Sequence, residues 1–207
     1  MAFKYVPGDT VKVPDIPYKD EATLVGAETA LIVEDIQNDF VDPKGALFIP
    51  SAVATLPRIQ KFMVRARAHG VHIAYTQDTH MEGDLEWGTF PEHCAQGSWG
   101  WQIIDTVKPQ PGDVVAQKVR YDGFYATVLD HFLSHVWRVK NVIIVGTVSN
   151  ICVLHTAASA GQRWFRVILA ADSISAMTEF DQAMTLRQVS WLFPNDVLRS
   201  LEDIHFA

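Results

Sequence analysis

From Thr29 onward, short apolar runs alternate with longer amphipathic stretches along the chain. Residues 30–33, 71–75, 114–116, 142–145 and 167–170 are dominated by Ala, Val, Ile and Leu, with little polar alternation. A strand with one solvated face would alternate, so these runs read as strands buried on both faces. Between and after them, residues 54–69, 125–136, 151–160 and 180–193 carry helix-like spacing. Parallel strands joined by right-handed helical crossovers place helices on both sides of one sheet. The pattern predicts an α/β fold, a doubly wound parallel sheet of about six strands with helices on both faces. Residues 1–27 carry Pro7, Pro14 and Pro17 among mixed charges. They predict an extended N-terminal arm ahead of a single domain over 28–207.

Composition narrows the function. With 207 residues, 48% of them hydrophobic, the chain can bury the core of one large α/β domain. Its formal charge of −7 argues against nucleic acid or an anionic membrane as partner, because either requires a basic patch. A small-molecule substrate remains. No apolar run approaches the roughly 20 residues of a membrane span, and the first residues lack the apolar centre of a signal peptide. The two cysteines, Cys94 and Cys152, share no C-x-x-C spacing, so neither a disulfide framework nor a zinc knot is indicated. A reducing, cytoplasmic setting is expected.

Open parallel sheets bind ligands beyond the carboxyl ends of their strands, so the residues following each apolar run are where chemistry is sought. The first run ends in Glu34-Asp35-Ile36-Gln37, the second in Thr76-Gln77-Asp78-Thr79-His80, the third in Gln117-Lys118, and the fourth in Gly146 to Cys152. Cys152 is expected in the first turn of a helix, where free N–H groups favour a thiolate and supply oxyanion donors. A lone cysteine is also commonly just a small core residue. Asp35 reads as a buried acid needing a partner or as a cap, and Lys118 as that partner or as a solvated lysine. Together they form a usable set: the carboxylate takes the thiol proton, the ammonium stabilises the ionised pair, and the thiolate attacks.

Residues 78–93 suggest a metal. Asp78 and His80 lie two apart, so an extended chain turns both to one side, and Glu86 and His93 follow after a loop. This mixed N/O set suits a divalent ion, zinc, iron or manganese; as plain solvated loop residues they would need no ion. His69, His72, His131, His135, His155 and His205 occur singly and read as ordinary histidines.

These residues resemble the isochorismatase-like cysteine hydrolase superfamily and, within it, the nicotinamidases. The matching stretches are ALIVEDIQNDF (30–40), TQDTH (76–80), EWGTFPEHCAQGSWG (86–100), KVRYDGF (118–124) and GTVSNICVLHTAASA (146–160). The resemblance implies that Asp35 is the acid/base, Lys118 the catalytic lysine and Cys152 the nucleophile. It implies that Asp78, His80 and His93 hold the metal with Glu86 as a further carboxylate, and that Phe40, Phe90 and Tyr121 line the ring pocket. It also implies a cis peptide between Thr147 and Val148, oxyanion donors at the Val148 and Cys152 amides, and a homo-oligomer. The expected reaction is hydrolysis of nicotinamide or a similar small amide to the acid and ammonia. Alternatives are a metal-independent isochorismatase-like, ureido or carbamoyl hydrolase, Cys94 as nucleophile, a two-histidine, one-carboxylate iron oxygenase, and a non-enzymatic small-molecule-binding module.

Overall fold

The computed structural model describes residues 10, 12–192 and 195–207, so Pro7 of the expected arm and Phe193 of the last expected helix lie outside the described residues. In chain order the elements are β1 (Ala22–Leu24), β2 (Thr29–Glu34), α1 (Asn38–Val41), α2 (Pro50–Ala68), β3 (His72–Asp78), β4 (Val114–Lys118), α3 (Leu129–His131), β5 (Asn141–Thr147), α4 (Leu154–Gln162), β6 (Arg166–Ser175), α5 (Glu179–Trp191), β7 (Asp196–Leu198) and β8 (Ile204–Phe206). Six strands form one parallel sheet in the order β4-β3-β2-β5-β6-β7, while β1 and β8 pair separately. The fold is the doubly wound α/β sheet that the hydrophobic runs predict.

Alternation along the buried strands explains why both faces are covered. Leu31, Val33, Ile73, Tyr75, Ile143 and Val145 meet Ala52, Ile59, Phe62 and Ala66 of α2 in one apolar cluster. Their sequence neighbours Ala30, Ile32, Ala74, Val142 and Ile144 point the other way, to Leu129 of α3, Ala157 of α4 and Leu186 and Val189 of α5. Successive side chains leave a strand on opposite sides, so a continuous apolar run needs a helix layer on each.

Three short strands escape the sequence pattern. β7 is three residues of Asp-Val-Leu, and β1 and β8 are three-residue segments too brief for a periodic signal. The helix expected over 125–136 starts only at Leu129, because the Asp122 carboxylate accepts the Phe124 N–H at 2.8 Å and the Thr127 hydroxyl accepts the Leu129 N–H at 3.1 Å. Local side-chain acceptors hold a turn where helix would otherwise begin. Residues 12–19 carry no regular structure, and the Lys19 N–H donates to the Val197 carbonyl at 2.9 Å, laying this segment against the β7 edge.

The strand order reverses between β2 and β5, which are adjacent although their connections run in opposite directions across the sheet. Such a switch point opens a crevice at the carboxyl ends. Gly146 lets the two strands approach there: its φ is +123°, and a Cβ would lie 2.1 Å from the Glu34 carbonyl oxygen. Only glycine fits that backbone.

Candidate functional site

Asp35 leaves β2 in the left-handed region at φ 48°, which carries its carboxylate toward β3 and β4. There the Thr76 hydroxyl donates to Asp35 Oδ1 at 3.0 Å, and Lys118 Nζ meets Oδ2 at 2.8 Å. Lys118 Nζ also lies 3.0 Å from Asp78 Oδ1 and 3.5 Å from Cys152 Sγ. Asp35 and Lys118 are 0% exposed and Cys152 5%. Burial rules out a solvated lysine at 118, and the Asp35 carboxylate is engaged by Thr76 and Lys118. The structure therefore brings the acid, the cation and the thiol into one group.

Charge in this group is tightly linked. Burial works against the Lys118 ammonium, but the flanking Asp35 and Asp78 carboxylates outweigh it and hold its pKa well above the ordinary lysine value. Burial raises the Asp35 carboxyl against the pull of Lys118, which suits a base that must take up a proton. The Cys152 thiol is also pushed up, by burial first, with only Lys118 pulling down. Sequence position alone predicts a helix N-terminus favouring thiolate; desolvation dominates instead, so the resting sulfur is a thiol and needs a base. Cys152 sits in the π-helical turn Ser149–Val153 leading into α4, and the Thr147–Val148 peptide is cis, as the resemblance implies.

The metal-ligand candidates also converge. Asp78, His80 and His93 offer ligand atoms that all lie within 4.8 Å of one another. Both rings are fixed through Nδ1: His93 donates to the Pro91 carbonyl at 2.7 Å, and His80 pairs with Asp84 Oδ2 at 3.0 Å. Their Nε2 atoms then face Asp78 Oδ2 at 3.0 Å from His80 and 3.3 Å from His93. The gap from His80 to His93 closes by backbone pairing, with His80 N–H donating to the Cys94 carbonyl at 3.0 Å and Gln96 N–H to the His80 carbonyl at 2.9 Å. These rings are buried, so they are not merely solvated loop histidines. Burial works against protonation of His80, yet the Asp78 and Asp84 carboxylates bring it up to about 9. The site attracts positive charge, and a divalent ion would replace that proton, so the donor set fits a metal. A second group, Glu34, Asp35 and Cys152, is equally close but contains the paired acid and thiol.

Beside both groups lies a cavity of about 320 Å3. Cys152, Asp78, His93 and Glu86 line its floor, and Phe40, Phe90 and Tyr121 share its apolar wall with Leu47, Phe48 and Met177. All three expected ring-pocket aromatics therefore line one cavity. Phe40 and Phe90 stand edge-on to His93, with centroids 6.0 and 6.2 Å away. Cys94 does not line the cavity; it is 0% exposed and its sulfur accepts from Gln37 Nε2 at 3.4 Å. As a rival nucleophile it has no access to a substrate there.

Several supporting residues carry no clear signal in the sequence. Gln37 binds the backbone of Asp78 through both ends of its amide, at 2.9 and 2.7 Å, and reaches the Trp101 carbonyl at 2.8 Å. Asp39 accepts from Cys94 N–H at 2.7 Å and Ala46 N–H at 3.0 Å, tying the metal loop to the cavity wall. Asp84 could have been found from its i, i+4 spacing to His80; Thr76 and Glu34 could not, because their neighbours lie on other strands.

Comparison with known proteins agrees with this arrangement. The family model described as the isochorismatase domain matches residues 29–200. The chain is similar to ureidoacrylate amidohydrolase RutB of Rhizobium rhizogenes, 30% identical over 89% of this chain and 85% of the relative. Among solved structures it resembles N-carbamoylsarcosine amidase from Thermoplasma acidophilum, with TM-score 0.74 and 31% identity over 83% of this chain and 96% of that one. It also resembles the pyrazinamidase of Pyrococcus horikoshii in complex with zinc, with TM-score 0.77 and 28% identity over 83% of this chain and 98% of that one. With six parallel strands, a shared cavity and a family match over most of its length, the chain belongs to the isochorismatase family and is an isochorismatase-like hydrolase.

Proposed function

We propose that this chain is a metal-assisted cysteine amidohydrolase that converts nicotinamide, or a similar small uncharged aromatic amide, to the carboxylic acid and ammonia. One observation carries the reading: a single cavity presents the Cys152 thiol and the Asp78/His93 edge of the ligand set beneath aromatic walls. Asp35 takes the proton from Cys152, and the sulfur adds to the amide carbon. Lys118 keeps its charge and balances the acid and sulfur during that transfer. The Val148 and Cys152 N–H groups face the oxygen that becomes negative. Asp35 returns the proton to the amide nitrogen, ammonia departs, and a thioester remains on Cys152. Asp35 then takes a proton from water, hydroxide adds to the thioester, and the sulfur leaves with that proton as the acid is released. Asp78, His80 and His93, with Glu86 beside them, would hold a divalent ion able to anchor a ring nitrogen.

A second reading, hydrolysis of a ureido or carbamoyl acid, is favoured by the ureidoacrylate and carbamoylsarcosine enzymes to which the chain is similar. Such substrates carry a carboxylate. Among the described residues no arginine or lysine lines the cavity, which favours the uncharged ring. Ammonia release from nicotinamide, pyrazinamide, ureidoacrylate and N-carbamoylsarcosine, with and without chelator, tests the choice. Nicotinamide or pyrazinamide is expected to be fastest and to slow on chelation. Faster ureido turnover that ignores chelator would replace the first reading with the second, and no ammonia from any of them would favour a binding module.

Asp84 offers a separate check on the metal reading. Its carboxyl is held down at about 2: burial opposes, but the Glu86 N–H, His80 and Arg120 outweigh it, so it stays ionised behind the His80 ring. Carboxylates that orient a ligand imidazole typically contribute about 10–100-fold to metal affinity. Asp84→Ala is expected to weaken zinc binding by that factor in calorimetry; an unchanged Kd would show that His80 needs no such support.

A further inference from the structure

Asp39 is a buried carboxylate in α1 that no step above employs, and it holds three segments of the chain together. Its two oxygens are divided between two of them. Oδ1 accepts the Ala46 N–H at 3.0 Å, and Oδ2 accepts the Cys94 N–H at 2.7 Å. The backbone of Asp39 repeats the division: its carbonyl accepts the Leu47 N–H at 3.1 Å, and its N–H donates to the Gly100 carbonyl at 3.0 Å. Gly100 also packs directly on the carboxylate, where a Cβ would fall 2.1 Å from Oδ2 and 2.2 Å from Cγ. A side chain at 100 would therefore displace both accepting oxygens.

The two ends of this strut serve different parts of the site. Ala46 and Leu47 belong to the cavity wall, and Phe48 and Ile49 continue it. Cys94 directly follows the ligand candidate His93, and its carbonyl accepts the His80 N–H at 3.0 Å. Cys94 holds φ at +46°, in the left-handed region, which a residue other than glycine keeps only where its surroundings fix it. The bond to Asp39 Oδ2 fixes its amide. A carboxylate suits this place because it turns an acceptor to each N–H and carries no donor; an amide has a single acceptor oxygen and would set its NH2 group against one of the two.

We infer that Asp39 is a positioning residue that couples the metal site to the substrate wall: an ion that fixes His93 steadies the Cys94 amide and, through the Asp39 carboxylate, residues 46–49. By linkage the coupling runs both ways, so whatever orders the wall tightens the metal site by the same factor. Asp39 touches neither the ion nor the reacting amide. It acts only through the two amides it holds.

The inference rests on the reading that Asp78, His80 and His93 hold a divalent ion, but not on which amide is hydrolysed, so its test needs no substrate. Amide hydrogen exchange over residues 46–49 is followed by peptide mass, without metal and with each protein saturated with zinc, beside calorimetry of zinc binding. In the wild type, zinc is expected to slow this exchange about 5-fold or more, the low end of ordinary coupling between sites. Asp39→Asn should abolish the zinc effect on the wall and weaken zinc binding about 10-fold, the low end for residues that support metal ligands. Gly100 is neither a cavity-lining residue nor a member of the ligand set, yet Gly100→Ala should reproduce both changes by pushing the carboxylate aside. The double variant should bind zinc within about 3-fold of the weaker single variant, because both changes break one link.

A merely structural Asp39 gives another pattern. Exchange in Asp39→Asn would then be faster overall while zinc still slowed it as in the wild type, and that result would overturn the inference. So would a wild-type wall indifferent to bound zinc, or an unchanged zinc Kd in both single variants. Should Asp39→Asn fail to fold, Gly100→Ala decides by the same two readings. Failure of the metal reading itself shows differently, as wild-type protein that takes up no zinc in calorimetry, and it removes this inference with it.

Discussion

Cys152→Ala is expected to lose ammonia-releasing turnover by at least about 10^4-fold while the protein stays folded. Removal of a nucleophile that acts in one unit with its base costs losses of this order, because no other group can form the covalent intermediate. The fold should tolerate the change: the side chain is small, lies at the cavity floor, and its loss resembles deletion of a single buried methyl group, about 1 kcal/mol. A steady-state ammonia assay beside a urea denaturation curve reads both quantities. Cys94→Ala is the matched control. Its sulfur is sealed between Gln37 and the core, with burial raising its thiol further, so turnover should stay close to wild type. Turnover within 10-fold of wild type in Cys152→Ala would remove the thiol from the reaction. A loss confined to Cys94→Ala would move the nucleophile to the loop.

What could be read from the chain depended on whether the signal was local. The continuous runs at 30–33 and 142–145 gave away strands buried on both faces, since no other arrangement dries both sides of Ala-Leu-Ile-Val or Val-Ile-Ile-Val. Asp35, Lys118 and Cys152 became visible because each follows such a run, and strand ends gather on one rim. The metal set was half legible: Asp78 and His80 share an extended segment, but what brings His93 back is the pairing of His80 with Cys94 and Gln96, which leaves no periodic trace. Glu34 illustrates the remaining limit. It directly follows an apolar run, and only the packing of Thr156 and Gly123 from distant segments reveals a hydrogen-bonded acid rather than a strand-end residue turned to solvent. The expected thiolate failed for a related reason: a helix terminus is a local feature, whereas the desolvation that outweighs it comes from the whole surrounding fold.

Lys118→Met should remove activity and, in the presence of chelator, lower stability by about 3–5 kcal/mol at pH 8, the range found when one partner of a buried ion pair is deleted. Methionine fills most of the lysine volume, so the loss is electrostatic rather than steric. In the wild type, Lys118 lets Asp35 and Asp78 stay ionised without water; Asp78 is held well below the ordinary carboxylate value because Lys118, His80 and His93 outweigh its burial. A depressed carboxyl contributes stability above its unfolded pKa and loses it as pH falls. Without the ammonium, burial and mutual repulsion are opposed at Asp78 only by His80 and His93, so both carboxyls shift upward: the stabilising contribution of Asp78 shrinks, and Asp35, already raised by burial, rises further. A carboxyl whose folded pKa exceeds its unfolded value destabilises the fold progressively as pH rises past the unfolded value near 4. The deficit of Lys118→Met relative to wild type should therefore shrink as pH drops from 8 to 5, which paired urea titrations at the two values will measure. A deficit independent of pH would mean that Lys118 serves packing. A deficit that grows toward pH 5 would mean that the carboxyls remain ionised by another route, and Lys118 would lose its place as the charge that holds this centre together.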